Sequence, residues 1–367
     1  MDAEIKISIV EHFKIVNDPR RSPLHSLHEI LTIIICAVIC GANDIVGIVT
    51  WAEQRESWLN KILDLPYGIP SHDTIGRVLS IISPKEFEES FINWTNAVFK
   101  KTNGDIVPID GKLLRGSYDK SSGISAINIV GAYSTANSVL LGHVKTDSKS
   151  NEITAIPKLL EMLDINGCII TIDAIGCQTK IAKQISDKNG DYVLAVKDNQ
   201  PTLHQEIQTK FCNEEDIEYY ETKEKSHGRE ETRKYGLIND VENVSKAKDF
   251  KSCSAVGFVE STRTLNGETS VETRCFILSF VTTAMFFAKC IRKHWVIENS
   301  AHYILDVAFK EDHSRIRKDH TPANMSTIRR ASLNMIKQEK TAKVGVNNKR
   351  LMASSNLKYL EKVIGVS

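Results

Sequence analysis

At 367 residues, 41% hydrophobic and 25% charged, the chain can hold two or three domains with real cores and has an ordinary globular composition. Lys+Arg of 47 against Asp+Glu of 46 leave a formal net charge of +1, so overall charge does not by itself call for a nucleic-acid partner. Its distribution is uneven: from Lys310 to Ser367 there are 13 Lys/Arg against 5 Asp/Glu, which fits a polyanion partner or a solvated basic face.

Residues 1 to about 100 read as helical. The start "MDAEIKISIVEHF" is charged and broken, unlike a signal peptide. "LTIIICAVICGA", Leu31 to Ala42, is apolar for only twelve residues, too short to span a bilayer, and reads as a core helix. "VGIVTWAEQRESWLNKIL" has apolar residues at helical spacing. In "YGIPSHDTIGRVLSIISP" a turn precedes a helix capped by Ser71 or Asp73, and "PKEFEESFINWTNAVFK" is amphipathic.

From about 105 the period shortens. "DIVPIDGKLLRGS", "AINIVGAYS" and "SVLLGHVKT" read as three strands, "TAIPKLLEMLD" as a helix, "GCIITIDA" as a strand, "CQTKIAKQISDKNG" as a helix and "DYVLAVK" as a fifth strand. The order β-β-β-α-β-α-β predicts a mixed sheet with helices packed on it. Residues 201–285 read as a β-rich insertion, and "FFAKCIRKHWVIENSAHYILDVAFKED" returns to helix. The eight cysteines form no CxxC pair and sit largely in apolar runs, as reduced thiols in a cytoplasm would.

The chemistry sits at strand ends. Asp110 closes the apolar part of the first strand and Asp173 the fourth, and these strands are commonly neighbours in such a sheet. A lone Asp173 could equally cap the following turn. Two adjacent carboxylates are costly to bury unless a divalent cation bridges them, and hard oxygen ligands suit Mg²⁺ or Mn²⁺. Glu298 is a candidate third acid, with Asp306, Glu311 and Asp312 as competitors. In two-metal phosphoryl transfer one ion activates the attacking oxygen and the other stabilises the leaving oxygen.

At these residues the chain resembles the bacterial insertion-sequence transposases of the DDE type, in the H-repeat-associated (ISAs) group. The matching runs are "NDPRR" (17–21), "IPSHDTIGRV" (69–78), "IDGKLLRGS" (109–117), "KSNEITAIPKLL" (149–160), "TIDAIGCQ" (171–178), "HGREETR" (227–233), "HWVIENSAHYILDVAFKEDHSRIR" (294–317) and "KRLMA" (349–353). They span essentially the whole chain. The resemblance implies an α/β fold with an RNase H-like mixed-sheet catalytic core, a β-rich insertion and a helical N-terminal domain. The corresponding divisions are 1–100, 101–200, 201–285 and 286–367, the last holding the C-terminal helical part of the core and a basic tail. It implies catalytic, metal-holding acids at Asp110, Asp173 and Glu298, two Mg²⁺ or Mn²⁺ ions, and binding to terminal inverted repeats and target DNA. A homodimer in the DNA complex and a cytoplasmic, nucleoid-associated location go with it. Where related DDE enzymes carry Tyr and Arg seven and four residues before the Glu, this chain has Ile291 and His294.

The remaining motifs divide between functional and structural readings. His294, Glu298 and His302 at i, i+4, i+8 would share one helix face; zinc is a weaker reading than two histidines that bond phosphate or the Glu. Trp295 reads as core, with base stacking as its alternative. Arg229 and Arg233 share a strand face and are expected at DNA phosphate, as are Lys112, Arg115, His294, Arg315 and Arg317. "IDGK" lacks the Gly-rich lead of a P-loop. Two other functions compete: a catalytically inactive relic that only binds DNA, and an Asp-dependent phosphatase, which would need a second acid two residues after Asp110, where Lys112 stands.

Overall fold

The computed structural model describes residues 9–365 except 14, 100–101, 119–122, 124, 147–151 and 227. The first eight residues of the N-terminal run, residues 149–151 and His227 of the matching runs therefore lie outside the described residues.

Helices α1 (Ile9–Phe13), α2 (Leu27–Ile39), α3 (Ile45–Glu53), α4 (Glu56–Leu59), α5 (His72–Ile81) and α6 (Pro84–Val98) form the first layer. Side-chain oxygens start four of them. Ser26 and Glu29 make a reciprocal capping box at α2, and Asp44, Ser71 and Ser83 cap α3, α5 and α6. Ser71, not Asp73, takes the cap at α5. Eleven of the thirteen residues of α2 are buried, because a helix apolar nearly all round must be enclosed.

Among the described residues the sheet has nine strands: β1 (Ile106–Leu114), β2 (Ile127–Ser134), β3 (Val139–Lys145), β4 (Ile169–Ile172), β5 (Asp191–Val196), β6 (Glu218–Ser226), β7 (Arg229–Ile238), β8 (Ala255–Leu265) and β9 (Glu268–Leu278). Their order is β3-β2-β1-β4-β5-β9-β8-β7-β6. Strands β1, β4 and β5 run parallel, and every other neighbouring pair is antiparallel. The fold is thus mixed α/β with one large mixed sheet. The β-rich segment continues this sheet, β9 pairing with β5 through Val193↔Leu278 to Val196↔Cys275. Helices α7 (Glu152–Met162), α8 (Thr179–Asp187) and α9 (Pro201–Asn213) connect the strands, and α10 (Ala284–His294) follows β9. All four residues of β4 are buried, as befits a parallel strand covered on both faces.

After α10 come α11 (Tyr303–Val307), α12 (Thr321–Gln338), α13 (Val346–Ser355) and α14 (Leu357–Ile364). All sixteen residues from Thr321 to Ile336 are buried, and α12 packs against α2, α5, α6 and β3. Its polar side chains bond to backbone that would otherwise be unsatisfied. Asn334 accepts from Leu140 N–H at 2.9 Å and donates to Leu140 O at 2.8 Å, and Asn324 donates to Leu79 O and Ile82 O.

The C-terminal basic excess does not form one exposed face. Arg329, Arg330, Lys349 and Arg350 are each at most 7% exposed. Arg330 pairs with fully buried Glu311 at 2.9 Å, Lys349 pairs with Glu339, and Arg350 donates to Val38 O and lies over the Phe309 ring. Removing one partner of a pair such as Glu311–Arg330 costs about 3–5 kcal/mol, so these charges are structural. No cysteine is in a disulfide and six of the eight are buried. Burial pushes the thiols of Cys40, Cys177, Cys275 and Cys290 up to about 12, so they stay protonated. Among the described residues no helix is long and apolar enough to cross a membrane.

Candidate active site

Strands β1 and β4 pair in parallel with Ile109 opposite Ile172, which brings Asp110 beside Asp173; only Asp173 ends its strand, whereas Asp110 lies within β1, opposite Gly131 of β2, because β1 runs on to Leu114. Asp110 is 21% exposed and accepts from the Gly111 N–H at 2.9 Å. Asp173 is the N-cap of a 3₁₀ turn, Ala174–Gly176, and the Ile175 and Gly176 backbone N–H groups face its carboxylate and favour its charged form, so the cap position and the strand-end position coincide.

Glu298 arrives on an irregular helix. After α10 the chain makes a turn at Trp295, and Glu298–His302 forms a π-turn closed by Tyr303 N–H to Glu298 O. Single π-turns within helices recur at functional sites. This one breaks the i, i+4, i+8 alignment expected of His294, Glu298 and His302. His294 instead bonds through Nδ1 to Thr171 Oγ1 on β4 at 2.9 Å, while His302 Nδ1 lies 3.5 Å from Asp110 Oδ2. Burial lowers His294 to about 4 and His302 to about 3, leaving both neutral near pH 7. Among the described residues no three His, Cys, Asp or Glu side chains converge closely enough to hold a metal as placed. That holds alike for His294, Glu298 and His302 and for the three acids, which neighbour one another without forming a closed cage.

Their electrostatics join them. Burial, reinforced by the charges of Glu298, Asp173 and Glu152, pushes Asp110 up to about 7. Burial likewise raises Asp173 and Glu152, and the charge of Asp173 adds to the effect on Glu152. Carboxylates that repel one another in a partly desolvated place fit a hard divalent cation, which would relieve that repulsion.

Glu152, at the start of α7, escaped the sequence reading. A Cβ at Gly111 would come within 2.0 Å of its Oε1, so only glycine lets this carboxylate approach the strand beside Asp110. Asn128 Nδ2 donates to Oε1 at 3.1 Å. The available signal was the glycine of "IDGK" together with an acid opening the next helix, a position where acids also simply complement the dipole.

The competitors for the third position are otherwise engaged. Asp306 accepts from Lys112 Nζ at 2.7 Å through each oxygen, Asp312 lies 3.6 Å from the same ammonium, and Glu311 takes Arg330 and Ser326. Lys112, expected at phosphate, is only 7% exposed because these carboxylates hold it inward. The Arg115 side chain is 80% exposed, with Asp312 3.6 Å from Nε. Arg229 and Arg233 share a face of β7. Arg233 is largely buried between Glu231 and Glu224, whereas Arg229 is 40% exposed and 3.4 Å from Glu231. Arg315 is exposed, and Arg317 donates to Gly116 O at 3.2 Å and lies over Tyr118. Trp295 corrects the core expectation: it is 41% exposed, with the Arg274 guanidinium 5.9 Å from its ring centre.

Residues 101–335 match the family described as Transposase DDE domain, and residues 10–95 match the one described as DDE_Tnp_1-associated. The chain belongs to the DDE transposase family. It is 41% identical to an "H repeat-associated putative transposase" of Escherichia coli strain K12, over 98% of each chain. A "putative transposase" of Escherichia coli O157:H7 is also 41% identical, over 97% of this chain and 94% of that one. Among solved structures, the synaptic complex of piggyBac transposase with hairpin DNA aligns over 99% of this chain and 77% of that one, with TM-score 0.47 and 9% identity. The chain is thus an insertion-sequence transposase, an enzyme whose partner is DNA and whose domain family generally works with divalent metal ions.

Proposed function

We propose that this transposase binds the terminal inverted repeats of its element, cleaves the DNA there, and joins the freed 3′ hydroxyl to a target strand, with Asp110, Asp173 and Glu298 as metal ligands. The observation that carries the reading is the crowding of carboxylates around Asp110 without a paired lysine or arginine among the described residues. Strands β1, β4 and β5 in parallel, with β2 and β3 antiparallel beside β1, support an RNase H-like core.

A divalent cation held by these acids, with a second as the full complement, would supply activation of the attacking oxygen and charge neutralisation at the scissile phosphate. The chain's own residues prepare the place. The His294–Thr171 bond pins the end of α10 to β4, next to Asp173. Neutral His302 stands against Asp110 and limits its rotamers without supplying a positive charge that would compete for the carboxylate. Arg115, Arg229 and Arg315, with exposed guanidinium groups, are the phosphate contacts, and the exposed face of Trp295 is available to a base. Two copies acting on the two element ends complete the arrangement, at the nucleoid in the cytoplasm.

The test is cleavage of an inverted-repeat duplex. Asp110→Ala, Asp173→Ala and Glu298→Ala should each abolish cleavage and leave duplex binding largely intact. Mg²⁺ or Mn²⁺ should support the reaction, and Ca²⁺ should support binding with little chemistry. Normal cleavage by any of the three variants, or robust cleavage in excess EDTA, would sink the assignment.

A further inference from the structure

The strand that carries Asp110 and the segment that carries Glu298 are joined rung by rung. Asp110 and Lys112 lie two residues apart on β1 and so point to the same face, about 6.7 Å apart along the strand. Opposite them, His302 and Asp306 lie four residues apart, about 6 Å along a helix. The two spacings match, so His302 meets Asp110 at 3.5 Å while Asp306 meets Lys112 at 2.7 Å through both oxygens. A third rung follows: Asp312 lies 3.6 Å from Lys112 Nζ and accepts from the Arg115 N–H at 3.4 Å. Beyond it the two backbones nearly touch, since a Cβ at Gly116 would come within 2.2 Å of Ser314 O. The run "IDGKLLRG" is therefore one side of a ladder whose other side is the segment from the π-turn to Ser314.

We infer that Lys112 is a positioning residue: clamped by Asp306 and Asp312, it sets the π-turn bearing Glu298 at its working distance from Asp110. The inference rests on Asp110 and Glu298 being the acids of the site. Lys112 Nζ is surrounded by carboxylate oxygens and the side chain is shut from solvent, so its charge is used within the protein and not on DNA. Among the described residues the Glu298 side chain makes no hydrogen bond or ion pair to β1, and it opens a π-turn closed by Tyr303 N–H to Glu298 O. On the α12 side the π-turn is held by Lys337 Nζ, which donates to Ser300 O at 2.6 Å, while on the β1 side the ion-paired anchor lies one turn on, at Asp306. Removing the ammonium leaves Asp306 and Asp312 repelling each other beside an already crowded group of acids, and the segment moves away from β1.

The test is a Mn²⁺ titration of cleavage on an inverted-repeat duplex, alongside duplex binding at several salt concentrations and a thermal melt. The proteins are the full chain, Lys112→Met, Lys112→Arg, Asp306→Asn and, as a control, Glu298→Gln. Lys112→Met and Asp306→Asn should each raise the Mn²⁺ concentration for half-maximal cleavage about tenfold, as loss of a group orienting a metal ligand does. Duplex affinity and its salt slope should not change, and Lys112→Arg, which keeps a donor fork for the carboxylate, should recover most of the loss. Should Lys112→Met fail to fold in the melt, Asp306→Asn and Lys112→Arg, closer in shape, decide the matter. A duplex affinity that falls with a salt slope shallower by about one unit, at unchanged Mn²⁺ requirement, makes Lys112 a phosphate contact and overturns the clamp. A wild-type Mn²⁺ requirement in Asp306→Asn overturns it too. If Glu298→Gln cleaves normally, the assignment of the acids has failed; if it is inactive while Lys112→Met is normal, only the clamp has.

Discussion

The two halves of the nine-stranded sheet treat carboxylates in opposite ways. In β3-β2-β1-β4-β5 the strands run four to nine residues and are mostly buried, and Asp110 rises to about 7 with no lysine or arginine paired to it among the described residues. In β9-β8-β7-β6 the strands run nine to eleven residues and β9 is exposed from Glu268 to Thr273. There several acids are matched: Lys225 holds Glu230 below its ordinary value, and Arg233 lies between Glu231 and Glu224. An acid matched by a base helps to hold a strand pair. An acid crowded by other acids destabilises the free protein unless a bound cation relieves the crowding.

The largest expected contrast comes from neutralising one acid in each half. Asp110→Asn should reduce cleavage by on the order of 10³-fold or more. Because the folded-state pKa of Asp110 is raised, its protonated form favours folding, and that stability is lost as pH rises from about 4, the ordinary carboxylate value, to about 7. In EDTA at pH 8 the Asn variant should therefore melt on the order of a few degrees above the parent, with the difference vanishing at low pH. Glu231→Gln should do the reverse, lowering the melting temperature while sparing cleavage. Melts at two pH values check both signs, and a common sign for the two variants would dissolve the contrast.

A smaller effect would sharpen the boundary of the acid-rich half. Glu152→Gln keeps the shape that fits over Gly111 and removes a charge, so cleavage should fall about 10- to 100-fold at limiting Mn²⁺ and partly recover at high Mn²⁺. Unchanged kinetics would confine the site to the two strands and the π-turn. The smallest effect belongs to the other half. Arg229→Ala should make log affinity against log salt shallower by about one unit for repeat and random duplexes alike. Arg233→Ala should lower the melting temperature and leave that slope alone, and a shallower slope would mean Arg233 leaves its acids for DNA.

Much of this arrangement was legible residue by residue. Apolar runs ending in Asp110 and Asp173 gave two strands of the right kind, and serines before periodic segments marked helix starts. What stayed hidden depends on partners distant in sequence. Nothing local says that the segment from 218 to 278 extends the same sheet, because strand periodicity is the same in an insertion and in a continuation. The π-turn adds no unusual residue, so a helical reading put His294, Glu298 and His302 on one face and Trp295 inside. Lys112 was read as a DNA contact from its place beside Asp110, and Arg233 from sharing a strand face with Arg229, because neither pattern reveals that carboxylates from elsewhere hold the side chain. Glu152 was passed over since only the space above Gly111 gives it meaning.

The burial of α12 on every side has a consequence for biosynthesis. A ribosome releases α2 almost the whole chain before α12, yet α12 is one of the elements that covers the apolar surface of α2. Throughout translation the nascent chain must carry that surface without its final cover, the condition under which long chains aggregate or need chaperones. A message cut short ahead of codon 321 would encode Asp110, Glu152, Asp173 and Glu298 and still yield a protein unable to enclose its own second helix.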